Sequence, residues 1–182
     1  TKKEIKNPVQ LKGAKIGLNS LSGGSILAVK IILSALGVDP DKDVTYLALG
    51  DPASRLTALK SSIIDATTFT TPFNSMAKRA GYNVFDDIPS IRNIDYPADS
   101  IIASREFVRR EPLVTENVIR SITEAIQFYK NNKRQTLAIM AKYLRGLSAE
   151  DLEEAYLRYF NGFRDKPYPS VQGVQTVLHW AK

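Results

Sequence analysis

Apolar residues fall into two rhythms along this chain. Through roughly the first hundred residues, short runs of strand length alternate with longer stretches at the helical period; beyond residue 104 only the helical period continues. Residues 15–19 read as a strand. Residues 24–36 then carry Ile26, Leu27, Val29, Ile31, Ile32, Leu33 and Leu36 before the stop signal Gly37. That helix is apolar nearly all round, so it is expected to be mostly buried. Residues 44–49 form a second strand, rich in β-formers. Asp51-Pro52 marks the next helix start, with Asp51 as N-cap and proline at the first helical position. A third strand is expected over residues 63–69. Thr71-Pro72 repeats the cap-plus-proline device, its helix ends at Gly81, and residues 82–85 make a short fourth strand.

Strands that alternate with helices through short loops imply right-handed βαβ crossovers and a largely parallel sheet covered on both faces. The fold class is therefore α/β with a C-terminal helical segment. Asp86-Asp87 reads as a solvated turn, and residues 100–104 are a candidate fifth strand. Val114, Val118, Ile122, Ala125, Ile126 and Tyr129 then recur on one face of a long helix, and residues 136–144 make another. Ser148 and Asp151 resemble a capping box opening a third, and Ser170 caps a last helix after the rigid turn Pro167-Tyr168-Pro169. The change of rhythm sets a boundary between residues 1–97 and 98–182. The later helices have one short strand to pack against. Either they form a bundle of their own, or they belong to a lobe whose sheet lies in a segment outside this sequence.

Composition removes several function classes. The 182 residues are 43% hydrophobic, ordinary for a globular protein. The net charge of +6 comes from basic residues that are scattered, and pairs such as Arg109-Arg110 and Lys133-Arg134 do not join into an aromatic-interleaved stripe, so no nucleic-acid partner is expected. The absence of cysteine rules out disulfides, thiolate zinc sites and a cysteine nucleophile. The lone histidine, His179, stands beside Trp180 far from the candidate loops, and no nucleophile-elbow motif surrounds any serine; catalysis and metal binding are poorly supplied. No run is apolar for long enough to span a bilayer, and Thr1-Lys2-Lys3-Glu4 leads into no signal core. The expectation is a cytosolic home or a targeting segment outside this sequence.

In an open parallel sheet, ligands bind beyond the carboxyl ends of the strands. The loop after the first strand holds Asn19, Ser20, Ser22, Gly23, Gly24 and Ser25. Its paired glycines clear away Cβ atoms, its hydroxyls donate, and the helix start behind it favours an anion. A plainer reading has Ser22 capping the helix and the glycines making the turn. No lysine follows the glycines as in a Walker loop, and their spacing is not that of a dinucleotide fingerprint, so no cofactor is expected. The loop after the third strand holds Thr70, Thr71, Pro72 and Phe73, where Phe73 either stacks on a flat ligand or joins the core.

Residues 11–17 (Leu-Lys-Gly-Ala-Lys-Ile-Gly), the Ser-Gly-Gly-Ser turn, residues 50–60 (Gly-Asp-Pro-Ala-Ser-Arg-Leu-Thr-Ala-Leu-Lys) and Ile64-Asp65-Ala66 together resemble the solute-binding proteins of ABC importers. The nearest group is the NMT1/THI5-like one, related to sulfonate, taurine, nitrate and thiamine-pyrimidine binders. Residues 102–112 and 166–178 also fit its pattern. The resemblance implies a type II periplasmic-binding-protein fold, two α/β lobes hinged about a cleft. Residues 1–97 would then be the second lobe, and residues 98–182 the returning strand and helices of a first lobe whose N-terminal part is absent. It implies a small anionic or heteroaromatic ligand held by the 20–25 turn and residues 70–73, a membrane permease as partner, a monomer, and a periplasmic or extracytoplasmic location. Fungal pyrimidine-synthesising relatives carry an active-site histidine and a cysteine-rich motif; neither stands here, so no enzymatic activity is expected. The effector domain of a LysR-type regulator, similar in fold, is the alternative.

Overall fold

The computed structural model describes residues 1–85, 95–97, 100–144 and 146–181; the Asp86-Asp87 turn lies outside them. A 3-10 turn at Pro8–Leu11 leads into β1 (Lys15–Leu18), α1 (Gly24–Ala35), β2 (Thr45–Ala48), α2 (Pro52–Lys60), β3 (Ala66–Thr67) and α3 (Phe73–Arg79). Then come α4 (Arg105–Arg110), α5 (Pro112–Asn131), α6 (Lys133–Tyr143), α7 (Ala149–Gly162) and α8 (Val171–Trp180). The chain divides into two compact units, Thr1–Ala98 with Ser170–Lys182, and Asp99–Pro169.

In the first unit, β2 and β3 both pair with β1 in parallel, giving the order β2-β1-β3. Side chains alternate across the pleat as a period of two demands. Ile16, Leu18 and Ala66 meet Val29 and Leu33 of α1 on one face. On the other, Leu47 meets Ala58 and Leu59 of α2 and the fully buried Ile64. Helices α1 and α2 therefore cover opposite faces, because the crossovers from β1 to β2 and from β2 to β3 run in opposite directions with the same hand. Burying Leu18 completely contributes about 2 kcal/mol. Gly17, its neighbour on the α2 face, has no room for more: a Cβ there would lie 2.5 Å from Ile64 Cδ1.

Several expected elements come out shorter or not at all. In α1 Val29, Ile31 and Leu33 are buried and residues 25–28, 30 and 32 half-buried; Val29 and Leu33 face the sheet, and Ile31 is buried on the opposite side of the helix. The third strand shrinks to Ala66–Thr67. Before it, Ser62 sits at φ 58 and Ile63 N–H turns back to Ala58 O; after it, Arg55 takes the Thr68 carbonyl that would continue the ladder. Residues 82–85 form no strand: the Tyr82 N–H turns back to Ala77 O, and the Asn83 backbone bonds Thr1, donating to its carbonyl and accepting from its amino group, while the Asn83 side-chain amide donates to the carbonyls of Lys2, Lys3 and Ile5. Residues 100–104 form none either; Ile102 is 90% exposed, and among the described residues no strand lies beside it. Helix α3 begins one residue later than the cap-plus-proline pattern puts it, with Pro72 at the boundary and no side-chain cap, while Asn74 Oδ1 accepts the Ser75 N–H.

The second unit packs α5, α6 and α7 around stacked Tyr129 and Tyr156, centroids 5.0 Å apart, with Phe163 edge-on to Tyr129. The Ser148–Asp151 capping box forms as read, and in the first unit Ser170 Oγ caps α8 by accepting from Gly173 N–H at 2.8 Å. The apolar stripe of α5 continues beyond this core: Val114, Val118 and Ile122 are each at least 40% exposed.

Candidate functional site

The order β2-β1-β3 puts a topological switch point between β1 and β3, where the chain leaves adjacent parallel strands toward opposite sides and opens a crevice at their carboxyl ends. The loops that flank this point are residues 19–25 and 68–72. These contain or overlap the two loops the sequence singles out, residues 19–25 and 70–73, and the loop after β2, residues 49–51, stands one strand away. Asn19, Ser22, Gly23, Gly24 and Thr70 are exposed, and Ser20, Ser25, Thr71 and Phe73 are half-buried; Pro72 is buried and acts in packing.

The 19–25 loop is held from within. Ser20 Oγ accepts the Ser22 N–H at 3.2 Å and lies 3.1 Å from Ser22 Oγ, while Ser25 Oγ donates to Ser20 O at 3.3 Å. Ser22 does not cap α1. The N-cap is Gly23, at φ 76 and ψ −157, a conformation open essentially to glycine alone, and no side chain accepts from the first turn. The helix thus presents its N-terminal amides uncapped at the carboxyl edge, with the partial positive charge that such an end carries. Tyr96 reaches over this start from 72 residues away and donates from its hydroxyl to Gly24 O at 2.8 Å. A Cβ at Gly24 would lie 3.2 Å from that hydroxyl, so the glycine here serves a close approach.

The 68–73 loop is held by Arg55. The residue is 8% exposed as a whole, and its guanidinium donates through Nε to Gly50 O at 3.2 Å and through Nη1 to Thr68 O at 2.5 Å and Thr67 Oγ1 at 3.3 Å. Thr67 Oγ1 in turn donates to Gly17 O at 2.8 Å, so one side chain ties together the ends of all three strands. Its carbon Cζ lies 5.4 Å from the Phe69 ring centroid, and Phe69 stacks on Phe73 at 6.0 Å. Burial pulls the Arg55 pKa below the ordinary guanidinium value, and the through-space attraction of Asp51 works against that pull. Asp51 is the N-cap read from the sequence: it accepts from Ala53 N–H and Ser54 N–H and pairs with Ser54 Oγ.

Sequence reading missed Arg55 and Tyr96. For Arg55 a signal was present, since it lies one helical turn from Ala58 and Leu59 and so shares the buried face of α2. For Tyr96 there was none, because its contact depends on the fold bringing distant segments together. At the opposite end of the sheet, a depression of about 530 Å3 is lined by Lys2, Gln10, Lys12, Ser62 and Asp65. Its Lys2 and Asp65 pair with each other at 2.6 Å, which leaves little there to recognise a ligand. Among the described residues no cluster of His, Asp or Glu is arranged to hold a metal, and no helix is long and apolar enough to cross a membrane.

Residues 1–145 match the model of the NMT1-like family. A candidate binding protein of Brucella abortus is 30% identical over 146 residues, 78% of this chain and 44% of that protein. The nitrate/nitrite binding protein NrtA of Nostoc is 24% identical over 157 residues, 83% of this chain and 35% of the other. A structure from Bordetella bronchiseptica superposes with a TM-score of 0.78 at 25% identity, covering 96% of this chain and 57% of that one. The periplasmic aliphatic sulphonate binding protein SsuA of Escherichia coli superposes with a TM-score of 0.70 at 20% identity, covering 97% and 55%. The fold is that of periplasmic binding proteins, and the chain spans about half the length of the relatives it matches. These relatives are binding proteins rather than enzymes, and they lend no support to a transcription regulator.

Proposed function

From the premise that this chain belongs to the NMT1-like family, we propose that it forms part of the solute-binding component of an ABC importer. It captures a small anionic or heteroaromatic solute, of the sulfonate, nitrate or thiamine-pyrimidine-precursor type, and delivers it to a membrane permease without changing it covalently. The observation that carries this reading is the β1/β3 switch point with its two flanking loops, one presenting an uncapped helix end and serine hydroxyls, the other two threonines and the Phe69–Phe73 stack. Neither loop contains a carboxylate, so nothing in them repels an anion. Ligand contacts are assigned to Asn19, Ser20, Ser22, Gly23, Gly24, Ser25, Thr70, Thr71 and Phe73, with Pro72 fixing the loop.

In the same reading residues 1–97 are the second lobe and residues 98–182 the returning part of the first. The uncovered stripe Val114, Val118 and Ile122 supports this, because a helix face of that kind is ordinarily buried against a sheet. The proposed location is extracytoplasmic, the working form a monomer. Capture works by closure, to the extent that the solute prefers the closed arrangement of the lobes.

The test is thermal unfolding of this chain, and of the full reading frame that encodes it, in the presence of nitrate, alkanesulfonates, aminopyrimidines and carboxylates. A ligand at a hundred times its Kd stabilises by about 2.7 kcal/mol, enough to raise Tm by several degrees. A rise with at least one anion or aminopyrimidine is expected. A flat response from both polypeptides to every compound would refute the reading.

A further inference from the structure

We propose that Arg55 is the residue that makes this edge selective for anions: its guanidinium fixes the 68–73 loop and supplies a positive charge, with no carboxylate in contact, beneath the carboxyl ends of β1 and β3. This rests on the reading of that edge as the ligand site and adds the source of its charge preference.

The first support is position. Arg55 bonds Gly50 O just beyond β2, Thr68 O just beyond β3 and, through the Thr67 hydroxyl, Gly17 O in β1. The cation therefore lies under the carboxyl edge, where the two candidate loops diverge. The second is that no carboxylate among the described residues pairs with it in contact, Asp51 attracting it only through space. All of its bonding partners are neutral oxygens, and among the described residues no carboxylate lies within ion-pair distance. Asp51 is committed to Ala53 N–H, Ser54 N–H and Ser54 Oγ. Burying a charge without a counter-ion is costly, and three hydrogen bonds to neutral oxygens offset that cost without neutralising the charge. The field of that charge reaches beyond its own hydrogen-bond shell. The third is direction. Residues 19–25 and 68–75 carry no acidic side chain, so the field of the guanidinium and that of the α1 N-terminus add at the same edge.

The experiment compares methanesulfonate with dimethyl sulfone, which match in shape and differ by one charge, in calorimetric titration of the full reading frame. Wild type prefers the sulfonate. Arg55→Gln loses both the fork and the charge, so both ligands weaken, and the sulfonate-to-sulfone affinity ratio falls by roughly tenfold or more, as loss of a unit charge several ångströms away implies. Arg55→Lys keeps the charge and loses the fork, so the ratio persists while both ligands weaken together. An unaltered ratio in Arg55→Gln, with sulfonate still bound, overturns the inference and leaves the ligand reading intact; wild type binding neither compound, nor any other anion of the panel, sinks both. Should Arg55→Gln fail to fold by circular dichroism, the Arg55 Nε–H resonance of wild type decides. Methanesulfonate shifts it and dimethyl sulfone does not, whereas equal shifts, or none on sulfonate binding, refute the assignment.

Discussion

Substituting Gly17 tests the central packing claim, that β1 has a glycine because Ile64 occupies the space above it. In Gly17→Ala the new methyl would lie 2.5 Å from Ile64 Cδ1 and 3.3 Å from Leu49 Cδ1, with Ile64 Cγ2 at 3.5 Å. Ile64 is fully buried, so its terminal methyl has no solvent to swing into. Relief requires an off-minimum rotamer or a shift of α2, at a cost of about 1–3 kcal/mol. The gain of replacing glycine by alanine in a strand offsets roughly 0.5–1 kcal/mol, leaving a net loss of about 1–2 kcal/mol. Urea unfolding followed by far-UV circular dichroism should show the midpoint falling by about 1 M or less at an unchanged slope. A double-mutant cycle makes the cause specific. Ile64→Val alone costs about 1 kcal/mol for the lost methyl, but combined with Gly17→Ala it removes the very atom in conflict, so the double variant should be more stable than Gly17→Ala alone. Additive losses within about 0.5 kcal/mol, or a Gly17→Ala protein as stable as wild type, would refute the packing argument.

Two further outcomes follow from titrating groups. Burial acts to raise the Asp65 pKa, but the Lys15 N–H, the Lys2 ammonium and the two lysine charges outweigh it and hold the carboxyl below its ordinary range. A depressed folded pKa gives stability that is present above the unfolded value near 4 and disappears as pH falls through the folded one. Asp65→Asn should therefore lower Tm modestly at pH 7, with the difference vanishing in acid; a deficit that persists at pH 2 would contradict this. Burial first, and then the neighbouring Tyr156 and Tyr159, push the Tyr129 phenol up to about 12. A raised folded pKa means stability complete below the unfolded value of about 10 and lost as pH climbs from there toward 12. Tyr129→Phe should cost about 1 kcal/mol at pH 7 for the bond to Tyr156 O, and should flatten this alkaline limb in urea titrations. An unchanged limb would place the alkaline sensitivity elsewhere.

Much of the architecture was legible because local rules and the fold agree. The runs around Ile16 and Leu47 became parallel strands, Asp51-Pro52 started α2, Ser148 and Asp151 closed a capping box, and Ser170 capped α8. Illegible features were those in which a distant group takes over a backbone atom. Ile63 to Phe69 has strand composition, but Arg55 claims the Thr68 carbonyl and the 62–65 turn claims the residues before, so two residues of ladder survive. In residues 82–85 the N–H and C=O of Asn83 are both taken by Thr1, 82 residues away, and no strand forms. β-propensity measures the fit of a side chain to a pleated surface and is silent on which carbonyl a remote donor will reach.

The same division runs through the candidate site. Ser20 to Ser25 could be singled out because strand, glycines and helix follow one another in the chain, and the site lies where the order of the strands reverses, a rule that needs only topology. Its plain reading as a serine cap was wrong for a local reason: Ser22 is turned toward Ser20, and Gly23 adopts a conformation that puts the capping position on a residue with no side chain. What gives the edge its charge could not be read in the same way. An arginine between Ser54 and Leu56 looks like a solvated helix residue until Ala58 and Leu59 are seen to lie on its own side, and even then the period says that it is buried without saying to what it bonds. Burial of a cation becomes informative only with its partners in view. Three neutral oxygens, and among the described residues no carboxylate in contact, surround Arg55, and it is on this arrangement at the carboxyl ends of β1 and β3 that the proposed preference for anions rests.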